Sequence, residues 1–277
     1  MATPKFLPFA QLDLPGRIIL DDGRYLARAA QPAGEDDVIV IRTLGVQRAK
    51  RRLRKGRPVP IEEPGEATLP LTRVTVVKAL PFASEAEAEQ WLAELSSERE
   101  RQTALANEAI ILLNEAIHAH AVAANYPYAS DVGGNSAVSL RFGYGLGDEV
   151  VEGSWTAARQ PDEGERVKLL DRDLGSVGAQ ERVAEVLGRR GSILAAETLL
   201  LRTRADIEQR RFAAAALGVE AALSAVGEST DPALLAELRE QARELGRAAR
   251  ADRLGPGDET ALRKLIGAGT RLISPRH

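Results

Sequence analysis

The chain has 277 residues, 44% of them hydrophobic, no cysteine and a formal net charge of −3. The lack of cysteine excludes disulfides, thiolate metal sites and a cysteine nucleophile, and the small net charge excludes a global attraction to nucleic acid. The N-terminus lacks the apolar core of a signal peptide, and no run of about 18 apolar residues is present to span a membrane. We therefore expect a cytoplasmic protein, and the preference for Ala, Arg, Glu and Gly is typical of a GC-rich bacterial genome.

The first part of the chain alternates between proline-rich and strand-like segments. Residues 1–16 contain three prolines and are predicted to form an extended arm. The Asp-Asp-Gly at 21–23 lies between short apolar runs and predicts a hairpin. Residues 37–43 and 71–80 are rich in β-branched side chains and predict two further strands. With the helix that follows, residues 1–160 predict an α+β domain with a small, mostly antiparallel sheet.

The longest helical pattern covers residues 84–124 and ends before Pro127, because the residue before a proline resists the α region. Ser84 and Glu87 have the spacing of a capping box, in which each side chain accepts a hydrogen bond from the other residue's amide. A second box of this type at 97–100 allows a break near Ser96. An unbroken helix would be about 60 Å long at 1.5 Å per residue and would project toward a partner. The sequence leaves both alternatives open.

The segment 42–66 is predicted to be a long loop that is basic first and acidic second. Its first part holds eight basic residues and no acid: Arg42, Arg48, Lys50, Arg51, Arg52, Arg54, Lys55 and Arg57. Such a run can neutralise phosphates, although no aromatic residue interleaves it to stack on bases. The seven residues from Arg48 onward are the candidate site for an anionic partner. The alternative is a loop whose basic half meets its own acidic half or another subunit.

Two histidines near the end of the long helix, His118 and His120, are candidates for a polar site. They lie two residues apart, so they face different sides and cannot chelate one metal as an i, i+4 pair would. Glu115 and His118 match half of a di-iron carboxylate site, but no second Glu-x-x-His occurs to complete it. We therefore predict no metal and no cofactor.

A Gly-x-Gly-x-Gly at 143–147 resembles a phosphate loop only superficially. It lacks the dinucleotide and P-loop spacings, and no helix is predicted after it. The glycines are instead predicted to allow a tight, twisted hairpin between strands at 138–143 and 150–155. Arg141, Asp148 and Glu149 flank this turn and complete the candidate polar cluster.

Beyond a linker at 160–164, the chain has helical patterns only. Helices are predicted at 177–190, at 192–226 with Ser192 as its cap, from Asp231 with Pro232 in its first turn, and at 258–272. Four helices with short connections predict an all-α bundle over residues 161–277.

Three functions remain open, because no Gly-x-Ser-x-Gly elbow, His-Glu-x-x-His, Walker loop or kinase signature occurs. The long helix and the alanine-rich bundle favour a non-catalytic interaction or scaffold protein that self-associates through its long helices. A nucleic-acid-associated factor would use residues 48–57. An enzyme would have its site near Arg141, Asp148 and Glu149, against the end of the long helix that carries the two histidines.

Overall fold

The structure, a computed structural model, describes six parts of the chain: residues 5–27, 36–45, 70–161, 186–188, 192–227 and 231–273. These residues belong to two compact units, one within Met1–Asp173 and one within Leu174–His277. The first combines an antiparallel sheet with helices and the second is helical, which confirms the predicted fold class. No helix in the described parts is both long and apolar enough to cross a membrane.

The first unit is a sheet with its two long helices on one face and a short helix on the other. Its strands are β1 (Phe6–Pro15), β2 (Gly23–Ala27), β3 (Asp37–Leu44), β4 (Leu71–Val77), β5 (Ser139–Leu146) and β6 (Ala157–Arg159). Its helices are α1 (Glu85–Ser97), α2 (Arg99–Ala123) and the short α3 (Gly147–Val151). The strand order is β2-β3-β4-β1-β5-β6, and every pairing is antiparallel. Apolar side chains from four of the strands form one core with α1 and α2.

The residues predicted to form an extended arm instead form β1, the central strand between β4 and β5. Of the three prolines that indicated an arm, Pro4 lies outside the described residues, and Pro8 and Pro15 lie where neighbouring strands end. The carbonyl of Pro8 accepts a hydrogen bond from the amide of Lys78 (2.9 Å), just beyond β4. Pro15 lies beyond Asp13, the last residue of β1 that pairs with β5. Each missing N–H therefore points past the end of the neighbouring strand, and no ladder is interrupted.

β1 is buried on both faces, although its sequence does not indicate this. Ala10, Leu12 and Leu14 pack in the core with α1 and α2. Gln11 and Asp13 alternate with them and therefore face the other side of the sheet, yet they are 0% and 4% exposed. Polar residues in a strand normally indicate a solvated face, so the alternation alone does not identify a central strand.

The predicted hairpin around Asp22 is not formed. Residues 17–20 are not a strand, and β2 pairs with β3 instead. The Asp22 carboxylate accepts hydrogen bonds from the amide (2.8 Å) and the hydroxyl (2.7 Å) of Thr43. These two bonds hold the turn against the end of β3. β3 is rich in β-branched residues and is therefore a more extensive partner for β2 than residues 17–20 would be.

Ser84 caps α1 as predicted, because its hydroxyl accepts a hydrogen bond from the amide of Glu87 (3.2 Å). The reciprocal bond of the capping box differs from the prediction. The Glu87 carboxylate accepts from the amide of Ala83 (2.6 Å) rather than from that of Ser84. The second hydrogen bond of the box is therefore made one residue earlier than predicted, and the amide of Glu87 in the first turn of the helix still has its partner.

The helical segment 84–124 is broken at Glu98, where φ is −105° and ψ is 87°. The buried Gln102 stabilises the break, because its side-chain amide donates to the carbonyls of Leu95 (2.7 Å) and Ser96 (3.2 Å). These are among the last carbonyls of α1, which have no amide four residues later in the same helix to bond to. Of the two alternatives that the sequence allows, the structure has the broken helix, and no rod of about 60 Å is formed.

The second unit contains α4 (Ala195–Glu208), α5 (Phe212–Ala225), α6 (Pro232–Arg250) and α7 (Asp258–Ile273) around one apolar core. The prediction of a single helix over 192–226 is wrong. Arg210 has a φ of +58°, and Arg211 turns back to donate to the carboxylate of Asp206 (2.8 Å). The helical periodicity continues across this turn, so the sequence pattern does not reveal it.

The start of α6 and the extent of α7 agree with the sequence, whereas the start of α4 does not. Asp231 caps α6, since its carboxylate accepts a hydrogen bond from the amide of Leu234 (3.0 Å), and α7 matches the helix predicted over 258–272. Ser192 does not cap α4, which begins after Leu194. Most of the helix predicted over 177–190 lies outside the described residues.

The glycine-rich turn also differs from its prediction. β5 continues to Leu146, its partner is β6, and a short helix, α3, begins at Gly147. A Cβ on Gly143 would lie 2.3 Å from the carbonyl oxygen of Ala157 and 2.8 Å from Cζ of Phe9. Glycine is required at this position so that β6 and the Phe9 ring can approach the β5 backbone.

Replacing Gly143 by alanine is expected to lower the free energy of unfolding by about 3 kcal/mol, the upper end for overpacking, because the clash involves a backbone oxygen. Gly147→Ala is the matched control, since its Cβ would meet only the Leu7 side chain at an ordinary 3.5 Å. It should change stability by no more than about 0.5 kcal/mol. Urea unfolding measures both variants, and equal effects would contradict the packing role of Gly143.

Candidate functional site

A cavity of about 700 Å³ lies at the end of β1, between the last turns of α2 and the loop that follows α2. We call it the His120 cavity. Among the residues that line it are Leu14, Ile117, His120, Tyr126, Tyr128 and Asp131. Its walls combine an apolar base with polar groups at the side, which is the composition typical of ligand-binding clefts.

One wall of the cavity is fastened to α2 by a fully buried asparagine. The side chain of Asn114 donates to the carbonyl of Val132 (3.0 Å) and accepts from the amide of the same residue (2.7 Å). The two bonds satisfy the backbone amide and carbonyl of Val132, and they hold the loop at one point of the helix. The cavity therefore has a wall that is held in place without a ligand.

The opposite wall starts from the end of α2. Asn125 has a φ of +50°, and the amide of Tyr126 donates to the carbonyl of Ala121 (2.9 Å). This left-handed cap ends the helix and redirects the chain toward the cavity. It brings Tyr126 and Tyr128 together edge to face, with ring centroids 5.6 Å apart, and leaves them 47% and 81% exposed.

His120 contributes the cavity's least satisfied polar atom. Its Nδ1 is buried and has no hydrogen-bond partner within the described parts of the chain. A buried polar atom of this kind costs free energy unless something bonds to it. An imidazole nitrogen can donate or accept, depending on the tautomer, so it can recognise either an amide or a carbonyl group.

The structure separates the polar cluster that the sequence predicted. His120 lines the cavity beside Leu14, whereas His118 is exposed on α2. Asp148 and Glu149 are exposed in α3, whose first residue lies against Leu7. Because Leu7 and Leu14 are seven residues apart in β1, the two places are separated by about 23 Å along the strand.

Arg141, the fifth member of that cluster, belongs to a different set of contacts on the other face of the sheet. It donates to the carboxylate of Asp13 (2.9 Å), to which Ser139 (2.7 Å) also donates. Arg73 binds both oxygens of the same carboxylate, at 2.7 and 3.1 Å. We call these four residues the Asp13 network. It joins β4, β1 and β5 across the centre of the sheet.

The Asp13 carboxylate is held ionised by its partners. Burial by itself would raise the pKa of Asp13, but the hydrogen bonds from Arg73, Ser139 and Arg141 outweigh burial and lower the pKa to about 2. The hydrogen bonds to the Asp13 carboxylate come from Arg73, Ser139 and Arg141, and Arg141 also donates to the buried Gln11 (3.1 Å), so the chemistry is that of a structural ion cluster rather than of a reactive acid.

The candidate anion-binding residues, from Arg48 to Arg57, lie outside the described residues. Arg42 is the one member of the basic run that is described. It belongs to β3 rather than to a loop, and it donates a hydrogen bond to Glu152.

No protein-family model, curated protein or solved structure matches this chain.

Sequence reasoning identified His120 but missed the rest of the cavity. Residues 126–136 carry two of the chain's four tyrosines, and that concentration in a polar connecting segment was the available signal. The sequence gives no signal for Asn114, because a single asparagine inside an apolar helical stripe forms no pattern. Its role depends on a loop partner that only the tertiary structure places beside it.

The Asp13 network predicts a specific dependence of stability on pH. The folded-state pKa is lower than the unfolded value of 3.8, so the network's contribution is complete above pH 4 and is lost as pH falls toward 2. The loss amounts to about 2 kcal/mol. The variant Asp13→Asn, which leaves two arginines without a counter-ion, should be less stable than the wild type by about 3 kcal/mol at pH 7.

The difference between wild type and Asp13→Asn should shrink as pH falls from 4 to 2, because protonated aspartate resembles asparagine. Urea unfolding at several pH values measures it. Glu244→Gln, which removes an exposed carboxylate on α6, is the control and should show no such convergence. A difference between wild type and Asp13→Asn that stays constant down to pH 2 would contradict the predicted ionisation.

Proposed function

We propose that the protein is a non-catalytic interaction protein and that the His120 cavity binds a segment of a partner protein. The observation that carries this proposal is the combination of a cavity of about 700 Å³, a buried unpartnered imidazole nitrogen and two exposed tyrosines in one place. The volume lies within the range of about 300–1,000 Å³ that is usual for ligand sites.

The tyrosines favour a protein partner. Tyrosine is enriched in protein interfaces because it offers a large, rigid apolar surface with one polar end. Tyr128 is 81% exposed, so its ring has almost all of its surface available for burial against a partner. Such aromatic side chains beside a pocket commonly supply much of the binding free energy.

The cavity supports an extended peptide better than a compact ligand. Its base is apolar, through Leu14 and Ile117, and its side carries the imidazole of His120. An apolar side chain of the partner can fill the base, and a backbone amide or carbonyl of the partner can bond to Nδ1 once the His120 ring rotates to bring this enclosed atom into the cavity. This pairing would satisfy the buried nitrogen that the described chain leaves without a partner.

The other expected functions gain less support. Self-association was motivated by the long segment 84–124 and by the alanine-rich bundle. The break at Glu98 leaves no projecting rod, and self-association through the helices stays a prediction. The enzyme hypothesis required the histidines and Asp148–Glu149 to share a cleft, and they lie at different ends of β1. Nucleic-acid binding through residues 48–57 stays a prediction.

The proposal is tested by selecting peptides from a displayed random library on the full chain. Selected peptides should bind the variant Tyr128→Ala about tenfold more weakly than the wild type in fluorescence anisotropy, as expected for an interface anchor. Leu80→Ala is the matched control, because Leu80 is 72% exposed and does not line the cavity. It should leave the affinity unchanged.

Histidine NMR locates the bound peptide. Peptide binding should shift the ring signals of His120 and leave those of the exposed His118 in place. Peptides that bind Tyr128→Ala as tightly as the wild type, without shifting the His120 signals, would contradict the proposed site. Selected peptides that match this chain's own sequence would identify the partner as a second copy of the chain.

A further inference from the structure

Two arginines on the sheet face opposite α1 and α2 converge on one carboxylate. Arg24 of β2 and Arg42 of β3 each donate a hydrogen bond to a different oxygen of Glu152, the residue that ends α3. The three side chains are 54%, 39% and 57% exposed. Ion pairs this exposed contribute little to stability, so the fold does not depend on this arrangement.

The register of the sheet explains why positive charge accumulates here. Arg42 lies directly opposite Arg73 in the pairing of β3 with β4, and like charges in such a pair repel. The Asp13 carboxylate already binds Arg73 and Arg141. Glu152 therefore supplies a single negative charge to two arginines that have no other acidic partner among the described residues.

The two arginines also line a cavity of about 450 Å³. The hydroxyl-bearing Thr43 and the apolar Val151 contribute to the same lining. Asp22 lies there as well; the amide and hydroxyl of Thr43 donate to one oxygen of its carboxylate, which keeps its negative charge. Space for a ligand thus exists beside the guanidinium groups.

We propose that Arg24 and Arg42 form a binding site for a phosphate monoester and that the Glu152 carboxylate competes with the ligand for this site. Paired arginine forks match the oxygens of a phosphoryl group. Glu152 is a suitable competitor because its side chain is exposed. Rotation of its side chain is enough to release both arginines.

Charge selects a monoester over a diester. Glu152 carries one negative charge, and the hydrogen bond from Arg42 lowers the pKa of Glu152, so it stays ionised at neutral pH. A phosphodiester also carries one charge and gains nothing by replacing it. A phosphate monoester carries a charge of about −1.5 to −2 at pH 7 and has three acceptor oxygens, so it neutralises both arginines.

Isothermal titration of the full chain with phenyl phosphate tests the proposal. We expect Glu152→Gln to bind phenyl phosphate about tenfold more tightly than the wild type, since the competitor loses its charge, and Arg42→Ala to bind about tenfold more weakly. The control variants are Glu259→Gln and Arg263→Ala, which break another exposed ion pair, in α7. They should match the wild type.

Several results would overturn the proposal. One is equal affinity of Glu152→Gln and Glu259→Gln for phenyl phosphate. Another is dimethyl phosphate, a diester, binding as tightly as phenyl phosphate. Binding of an oligonucleotide without terminal phosphates that depends on Arg42, when phenyl phosphate does not bind, would assign the surface to nucleic acid instead. Arg24→Ala, in the outermost described strand on that side, repeats the test should Arg42→Ala unfold.

Discussion

The carboxylate of Asp13 is the constraint on which the sheet depends. It lies at the centre of the sheet, 4% exposed, and binds side chains from the strands on both sides of β1. An unpaired charge at such a position would cost several kcal/mol, so β1 can occupy the centre only where Arg73 and Arg141 reach it. The polar residues of β1 therefore specify its register, while Leu12 and Leu14 on its other face supply the apolar burial.

The position of β1 also determines where the His120 cavity forms. β1 ends at Pro15, and α2 extends beyond that end until its left-handed cap at Asn125. The space between the end of a strand and the end of a helix is bordered by the loop after α2, which the side chain of Asn114 holds at Val132, and this space is the cavity. Loops that a rigid framework holds in this way commonly carry binding residues.

The sequence predicts the features of this chain that depend on local physics. The Ser84 and Asp231 caps, β3, β4 and the α7 helix follow from side-chain hydrogen bonding and periodicity within a few residues. The features it does not predict either depend on distant partners or leave the apolar pattern unchanged. β1 requires the two arginines that neutralise Asp13, and the turn at Arg210 leaves the apolar pattern of 192–226 uninterrupted. Of the candidate site, His120 alone was visible, because a rare residue type can be noticed without knowing its neighbours.

Two places on the same face of the sheet, the Asp13 network and the Glu152 cluster, hold their charges differently, and this difference separates structure from recognition. Asp13 is enclosed, so its two arginines are permanently engaged. Glu152 holds the other two arginines at the surface, where water and ligands compete on nearly equal terms. An enclosed ion cluster is costly to open and suits a fixed sheet, whereas an exposed one is exchanged at little cost and suits binding. The same pairing of two guanidinium groups with one carboxylate thus stabilises the fold in one place and leaves an anion site accessible in the other.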